Sequence, residues 1–156
     1  MLKHEQQLAK LLTQHQLTLS IAESCTGGLL SHRLTNIPGS SAFLLLSIIA
    51  YDNRAKSALL KVSPAILKKY GAVSQPAAQA MAHGISRIVK TPLSVAITGI
   101  AGPGGGSPLK PVGTVFIAVK WQKTITCYHC QFKGSRLAIK NQAANFALKK
   151  LIQLVK

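Results

Sequence analysis

Residues 17–34 read LTLSIAESCTGGLLSHRL, and this stretch joins a strand pattern to a helix pattern. Residues 17–22 alternate apolar with small polar side chains, which is typical of a β-strand, and apolar side chains recur at helical spacing over residues 29–34. The glycine pair between them predicts a tight turn into a helix that runs from Thr26 to about Thr35. A strand followed at once by a helix is typical of an α/β protein.

The rest of the chain continues this alternation of helices and strands. Residues 44–51 form an almost unbroken apolar run, which predicts a strand covered on both faces. Capping residues and apolar periodicity predict the remaining elements, which are helices at 4–15, 52–60, 64–70, 75–90 and 135–156 and strands at 93–98, 112–121 and 124–132. This order predicts one domain over residues 1–156, a three-layer α/β/α sandwich with a mixed sheet.

Composition limits the partners that the chain can bind. The 19 Lys and Arg residues exceed the 3 Asp and Glu residues, which gives a net charge of +16 and favours an anionic partner. The cations are dispersed and aromatic residues make up 5% of the chain, so nucleic acid is not the favoured partner. We expect no membrane association and a cytoplasmic location, because no apolar run reaches about 18 residues and no signal-peptide pattern begins the sequence.

The three cysteines favour a reducing compartment over a disulfide framework. Cys127 and Cys130 have the C-x-x-C spacing of metal and redox sites, but they lie within a predicted strand. Side chains three positions apart on a strand point to opposite faces, so the two thiols are not expected to share one ion. We therefore expect no metal or redox site at these cysteines, and we expect no cofactor.

Ser24 lies where a nucleophile is often found, at a turn from a strand into a helix. Backbone N–H groups of residues 25–28 would point from the helix start toward an oxyanion that develops beside Ser24. The alternative is an ordinary helix cap, which is the commoner role for Ser and Thr before a helix. The glycine-rich loop at residues 99–106 is a second segment whose bare backbone can approach a ligand closely.

Six ordered segments have an unusual content of small residues: Ala22–Gly28, Pro38–Ser41, Tyr51–Lys56, Gly71–Ser74, Thr98–Pro103 and Lys110–Thr114. Together they resemble the CinA C-terminal domain family, which includes stand-alone nicotinamide mononucleotide deamidases. The resemblance covers nearly the whole chain. It implies hydrolysis of the carboxamide of nicotinamide mononucleotide to nicotinate mononucleotide and ammonia, in pyridine nucleotide salvage, by a metal-free homo-oligomer.

The resemblance also implies catalytic roles for Ser24, Tyr51 and Lys56. A serine hydroxyl needs a base, and a lysine can be that base when burial and a helix N-terminus keep it neutral. Tyr51 would relay the proton or hold the lysine amine. The alternative for Tyr51 is a buried side chain whose hydroxyl is satisfied by backbone.

Further residues are expected to contact the substrate. Glu23 would orient the site or contact the ribose, with a structural salt bridge as its alternative. Arg136 would bind the phosphate or else cap the last helix, and backbone N–H groups of the small-residue loops would cradle the phosphate. The expected contacts are Glu23, Cys25, Thr26, Gly27, Gly28, Ser40, Ser41, Thr98, Gly102, Gly104, Gly105 and Arg136.

The chain departs from the family pattern near these residues. Asp52 and Arg54 stand where serine and glutamate are usual around Asn53, and Ser135 replaces an aspartate. These changes leave two other functions open. One is an amidase that acts on a different small amide, and the other is a catalytically altered protein whose basic surface binds nucleic acid.

Overall fold

The structure is a computed structural model, and it describes residues 3–156. A five-stranded sheet has the order β2-β1-β3-β4-β5, in which β1, β2 and β3 are parallel and β4 and β5 are antiparallel to their neighbours. The strands are β1 (Leu19–Glu23), β2 (Leu44–Ile49), β3 (Leu93–Gly99), β4 (Thr114–Trp121) and β5 (Thr124–Gln131). The helices are α1 (Lys3–Gln14), α2 (Leu29–Thr35), α3 (Asn53–Leu60), α4 (Pro64–Tyr70), α5 (Gln75–Ile88) and α6 (Arg136–Val155).

Two apolar cores lie on the two faces of the sheet. Alternate side chains of each central strand point to opposite sides, so Ile21 enters one core and Ala22 the other. Helices α1, α2 and α6 cover the first core, and α3 and α5 cover the second. The predicted three-layer sandwich with a mixed sheet is confirmed.

Local capping signals predicted the helix boundaries well. Asp52 accepts a hydrogen bond from the N–H group of Arg54 at 2.8 Å and caps α3. Ser63 caps α4, Pro64 occupies its first position, and Gly71 follows its last residue. Helix α2 is the exception, because it begins at Leu29 instead of Thr26.

Strand β2 lies at the edge of the sheet, and the prediction that it is covered on both faces is wrong. Leu45 is 46% exposed and Ile49 is 52% exposed. The side chains of β2 alternate between exposed and half-buried, since β1 is its one neighbouring strand. An apolar run indicates a strand without indicating its position in the sheet.

The two cysteines of the C-x-x-C segment lie on β5 and point to opposite faces, as predicted. Cys130 belongs to the core beneath α6, whereas Cys127 packs against the core beneath α5. Among residues 3–156, none of the helices combines the length and the apolar character needed to cross a bilayer.

The topology brings three chain segments to one edge of the sheet. Because β1, β2 and β3 are parallel, the segments that follow Glu23, Ile49 and Gly99 all leave the sheet at the same end. Ligand sites of open α/β sheets lie at this end of the strands.

Candidate active site

A cleft of about 300 Å³ opens at the carboxyl ends of β1, β2 and β3. It gathers the residue after β1, the start of α3, the loop after β3 and the first residue of α6. Nine of the expected site residues line it, namely Ser24, Cys25, Tyr51, Lys56, Thr98, Gly102, Gly104, Gly105 and Arg136.

Ser24 and Lys56 form the central contact of the cleft. The Ser24 N–H group donates to Ile97 O at 2.9 Å, which fixes the turn after β1 against β3. Lys56 Nζ donates to Ser24 Oγ at 3.1 Å and to the carbonyl oxygen of Tyr51 at 3.1 Å. Ser24 is 8% exposed and Lys56 is 1% exposed, so both groups meet in a nearly dry environment.

Burial lowers the pKa of Lys56 below the ordinary value of a lysine. The negative charge of Asp52 opposes this shift without cancelling it. Both oxygens that contact the amine are uncharged, since one belongs to a hydroxyl and the other to a backbone carbonyl. The neutral amine that a base requires is therefore more accessible here than in a solvated lysine.

Cys25 follows Ser24 and also lines the cleft, yet it is not poised as the nucleophile. Burial raises the pKa of its thiol to about 11, and the side chain is 6% exposed. The thiol stays protonated at neutral pH and has little nucleophilic character. The contact with Lys56 belongs to Ser24, which leaves the serine as the activated group.

Tyr51 is placed differently from both expectations. Its side chain is 59% exposed instead of buried, because β2 is an edge strand. Its hydroxyl accepts a hydrogen bond from Arg136 Nη2 at 2.8 Å, while its backbone carbonyl holds Lys56. The hydroxyl is thus bound away from the lysine, and a proton relay through it does not fit this arrangement.

Arg136 reaches across the mouth of the cleft from the start of α6. Besides Tyr51, it donates from Nη1 to Gly102 O at 2.7 Å and so ties the loop after β3 to the segment after β2. Ser135 is the residue that caps α6, through a hydrogen bond from Ala138 N. The capping alternative for Arg136 is wrong, and its guanidinium belongs to the cleft.

Glu23 does not reach the cleft, so the expectation that it contacts the ribose is wrong. The side chain is fully buried, and its carboxylate accepts hydrogen bonds from Gly28 N, Leu30 N, Ser31 N and Ser31 Oγ at distances of 2.6 to 3.2 Å. The salt-bridge alternative is wrong as well. Glu23 instead caps α2 from inside the preceding strand, and the helix begins at Leu29 because Gly27 and Gly28 have positive φ values of +60° and +93°.

This cap changes which N–H groups remain for an oxyanion. The N–H group of Gly28 donates to Glu23, and that of Gly27 donates to Ser24 O at 3.0 Å, so the expected contribution of these two groups is wrong. Within residues 3–156, no oxygen accepts a hydrogen bond from the N–H group of Cys25 or Thr26. Of these two residues, Cys25 lines the cleft.

Ser40 and Ser41 lie at the other end of the sheet. They form a 3₁₀ turn before β2, whereas the cleft lies beyond the end of that strand. A strand of six residues is about 20 Å long. The expectation that these serines cradle the phosphate of a substrate bound in this cleft is therefore wrong.

The loop after β3 forms one wall of the cleft because it lacks side chains at tight positions. A Cβ on Gly102 would come within 2.5 Å of Val112 Cγ1, and Gly102 has a φ of +78°. The Thr98 hydroxyl donates to Ala72 O at 2.9 Å and so holds the neighbouring wall instead of facing the ligand.

Six lining residues were not among the expected contacts: Asn53, Ala72, Val73, Gly99, Ile100 and Ala101. All of them belong to segments that carry the family resemblance. Their position in these segments was the one feature that could have identified them, because their side-chain types alone indicate no function.

None of the acids and none of the described histidines is placed to act as the base instead of Lys56. The chain has three acids, and Glu5 pairs with Arg33, Asp52 pairs with Arg54, and Glu23 caps α2. Among residues 3–156, no histidine lines the cleft. A triad of serine, histidine and carboxylate cannot be assembled from these side chains.

A larger groove of about 740 Å³ lies elsewhere, between α3 and α4. Its walls include Arg54, Lys61 and Leu67, and they bring no nucleophile and base into contact. We assign the site to the smaller cleft because Ser24 and Lys56 meet there.

The comparisons with known proteins agree with one another. A model of the CinA C-terminal domain family matches residues 1–155. A CinA-like protein of Syntrophus aciditrophicus is 49% identical over 149 residues, which cover 93% of this chain and 36% of that protein. A CinA-like protein of Syntrophotalea carbinolica is 50% identical over 141 residues, which cover 90% of this chain and 34% of that protein. The chain thus spans about a third of the length of these relatives.

Solved structures resemble the chain over almost its full length. The competence/damage inducible protein CihA from Agrobacterium tumefaciens is 39% identical, with a TM-score of 0.92 over 98% of this chain and 96% of that one. A CinA superfamily protein from Klebsiella pneumoniae is 31% identical, with a TM-score of 0.95 over 99% and 96% of the two chains. The chain therefore belongs to the CinA C-terminal domain family.

Proposed function

We propose that the chain is an amidohydrolase in which Ser24 attacks a carboxamide and Lys56 is the base. The observation that carries this proposal is the 3.1 Å contact between Lys56 Nζ and Ser24 Oγ. The lysine is 1% exposed and burial lowers its pKa, and a lower pKa increases the fraction of the amine that is neutral and able to accept a proton. Catalysis by a lysine is also consistent with the engagement of all three acids elsewhere.

In the first half of the reaction, neutral Lys56 takes the proton of the Ser24 hydroxyl as its oxygen bonds to the carboxamide carbon. The negative charge that develops on the carbonyl oxygen would be held by the N–H group of Cys25. Lys56 then gives its proton to the departing nitrogen, which leaves as ammonia. An acyl group remains on Ser24.

In the second half, a water molecule attacks the acyl carbon and gives its proton to Lys56. The bond to Ser24 breaks, the serine oxygen recovers the proton, and the acid product leaves. The carbonyl oxygen of Tyr51 accepts a hydrogen bond from Lys56 Nζ, so it would keep the amine aimed at Ser24 throughout both halves. Tyr51 thus acts through its backbone as a positioning residue.

The substrate that we propose is nicotinamide mononucleotide, which would be converted with water to nicotinate mononucleotide and ammonia in pyridine nucleotide salvage. Family membership supports this choice, and so does the cationic side chain of Arg136 at the mouth of the cleft. Arg136 keeps N–H donors beyond the two contacts that it makes within the protein, and they suit a phosphate.

Ammonia release from nicotinamide mononucleotide tests the proposal. The purified protein is assayed in the presence of a chelator, beside Ser24→Ala and the control Ser47→Ala, which removes an exposed serine hydroxyl from β2. We expect turnover by the wild type and by Ser47→Ala, and a loss of at least about 10³-fold in Ser24→Ala. Acid quench during turnover, followed by mass spectrometry, should find the acyl group on the peptide that contains Ser24.

Folded wild-type protein that releases no ammonia would contradict the choice of substrate. Turnover that survives in Ser24→Ala would contradict the nucleophile. If nucleic acid binds with a steep salt dependence that Ser24→Ala leaves unchanged, the basic surface becomes the better guide to function.

A further inference from the structure

The first turns of α6 present a row of positive charge toward the cleft. Arg136 is the first residue of the helix, and Lys140 follows four positions later, so both lie on the same helix face. Arg136 contacts Tyr51 and Gly102 across the mouth of the cleft. The face that also carries Lys140 is therefore turned toward the site.

Lys140 lies against the turn that carries Ser24. Its Nζ atom is 3.6 Å from the position that a Cβ on Gly27 would occupy. Gly27 has a φ of +60°, and its N–H group donates to Ser24 O at 3.0 Å. The ammonium of Lys140 thus packs on the backbone that holds the nucleophile in place.

No partner in the protein explains this position. Within residues 3–156, no oxygen accepts a hydrogen bond from Lys140 Nζ, and no acid pairs with it. Glu23, the acid of the same turn, already accepts four hydrogen bonds from Gly28 and the first turn of α2. Lys110, in contrast, uses its ammonium to bind Tyr70 O at 2.8 Å.

The charge of Lys140 is felt inside the cleft. Burial raises the pKa of the Cys25 thiol, and the positive charge of Lys140 acts against that rise. An ammonium close enough to act on Cys25 also acts on an anion bound beside it. The region between Arg136 and Lys140 is therefore suited to a doubly charged anion.

We infer that Lys140 is a specificity-determining residue that, together with Arg136, binds the phosphate of the substrate. This inference rests on the proposed function, because it deepens the choice of a phosphorylated substrate. Arg136 offers directed N–H donors, and Lys140 offers a point charge one helical turn away. A structural role for Lys140 would need a partner, and a half-exposed lysine without one adds little stability.

The test compares nicotinamide mononucleotide with nicotinamide riboside, which lacks the phosphate. The variants are Lys140→Met, which removes the charge, and Lys140→Arg, which keeps it. Lys149→Met is the matched control, since it removes an exposed lysine from the same helix. We expect kcat/KM for the mononucleotide to fall on the order of 10- to 100-fold in Lys140→Met, mainly through KM, because a charge-assisted contact is lost.

We expect the riboside to be hydrolysed equally by the wild type and Lys140→Met. Lys140→Arg should restore the mononucleotide to within a few-fold of wild type, and Lys149→Met should match wild type. Equal losses for both substrates in Lys140→Met would place its action at the carboxamide and overturn the inference. An unchanged kcat/KM for the mononucleotide would overturn it as well.

A binding measurement separates this inference from the proposed function. Ribose 5-phosphate is titrated calorimetrically into the wild type and the same variants. Binding that weakens in Lys140→Met and persists in Lys149→Met supports the phosphate subsite even if the protein releases no ammonia. Absence of binding, or binding that Lys140→Met leaves unchanged, overturns the inference.

Discussion

Replacing Lys56 by Met should separate activity from stability. Met is close to Lys in length and has no basic nitrogen, so it removes the base without opening a large cavity. General base catalysis contributes about 10²- to 10⁴-fold, and we expect kcat to fall by this factor. The contacts of Lys56 Nζ with Ser24 and Tyr51 make it the group whose loss costs the most activity apart from the nucleophile.

The free energy of unfolding should stay constant or increase in the same variant. Two hydrogen bonds from the charged amine are lost, worth about 1.5–3 kcal/mol each. The cost of burying an ammonium, several kcal/mol, is removed as well. Because the pKa of Lys56 is lowered, the cost of burying its charge outweighs the contacts that favour the charged form. The folded state should therefore be at least as stable with Met at this position. We expect a gain between zero and about 3 kcal/mol, which is a rise in Tm of up to about 10 °C for a chain of this size.

The same argument predicts the direction in which the stability of the wild type changes with pH. The unfolded state binds the Lys56 proton more tightly than the folded state, because the folded pKa is the lower one. Wild-type stability should therefore increase with pH between the folded pKa and the ordinary lysine pKa, and Lys56→Met should lack that increase.

Ammonia release measures the activity, and thermal and urea unfolding at several pH values measure the stability. Lys68→Met is the control, because it removes an exposed lysine from α4. Activity within tenfold of wild type would refute Lys56 as the base. A Tm that drops by more than about 5 °C would refute the balance of burial and contacts.

Three further predictions concern the same architecture. In the wild type, kcat/KM should rise with pH to a plateau whose apparent pKa lies below that of a free lysine, and a profile that is flat from pH 6 to 10 would contradict the role of Lys56. Glu23→Gln should lower the free energy of unfolding, measured in urea, by about 2–4 kcal/mol. The reason is that an amide NH₂ group would face the N–H donors of α2 that the carboxylate now accepts from. An unchanged urea midpoint would exclude this capping role. We also propose that the chain forms a homo-oligomer through the edge strand β2. Leu45→Lys should then dissociate the oligomer, as measured by sedimentation velocity. The control Leu154→Lys changes a similarly exposed leucine of α6 and should leave the oligomer intact.

The fold could be predicted from sequence because its signals are local. Helix ends followed from single residues such as Asp52, Ser63 and Gly71, and the two sides of β5 followed from strand alternation. The position of β2 could not be predicted in this way. Whether an apolar strand is central or at an edge depends on which strands pair with it, and that is decided by the whole topology.

For the same reason, the sequence predicted some residues of the site correctly and misplaced others. The segments that carry the family resemblance supplied Ser24 and Lys56, and the start of the last helix supplied Arg136. The structure brings all three to one cleft. The resemblance did not indicate that Glu23 turns inward to cap α2, because a glutamate beside a nucleophile suggests catalysis more readily than capping. Lys140 was missed since its only signal is its spacing of four residues from Arg136.

The three acids of the chain form contacts with groups other than Lys56, and this supports the proposed role of the lysine. A carboxylate close to Lys56 would stabilise the ammonium, raise its pKa and keep it protonated at neutral pH. Glu23 is turned toward α2, Glu5 is paired with Arg33, and Asp52 is paired with Arg54 at the surface. The Arg54 guanidinium holds the pKa of Asp52 low and offsets part of its charge, and burial still prevails at Lys56. The same scarcity of acids leaves Lys140 and Arg136 without a carboxylate partner, so a strongly basic chain can combine a lysine of lowered pKa with two cationic side chains that would attract an anionic substrate.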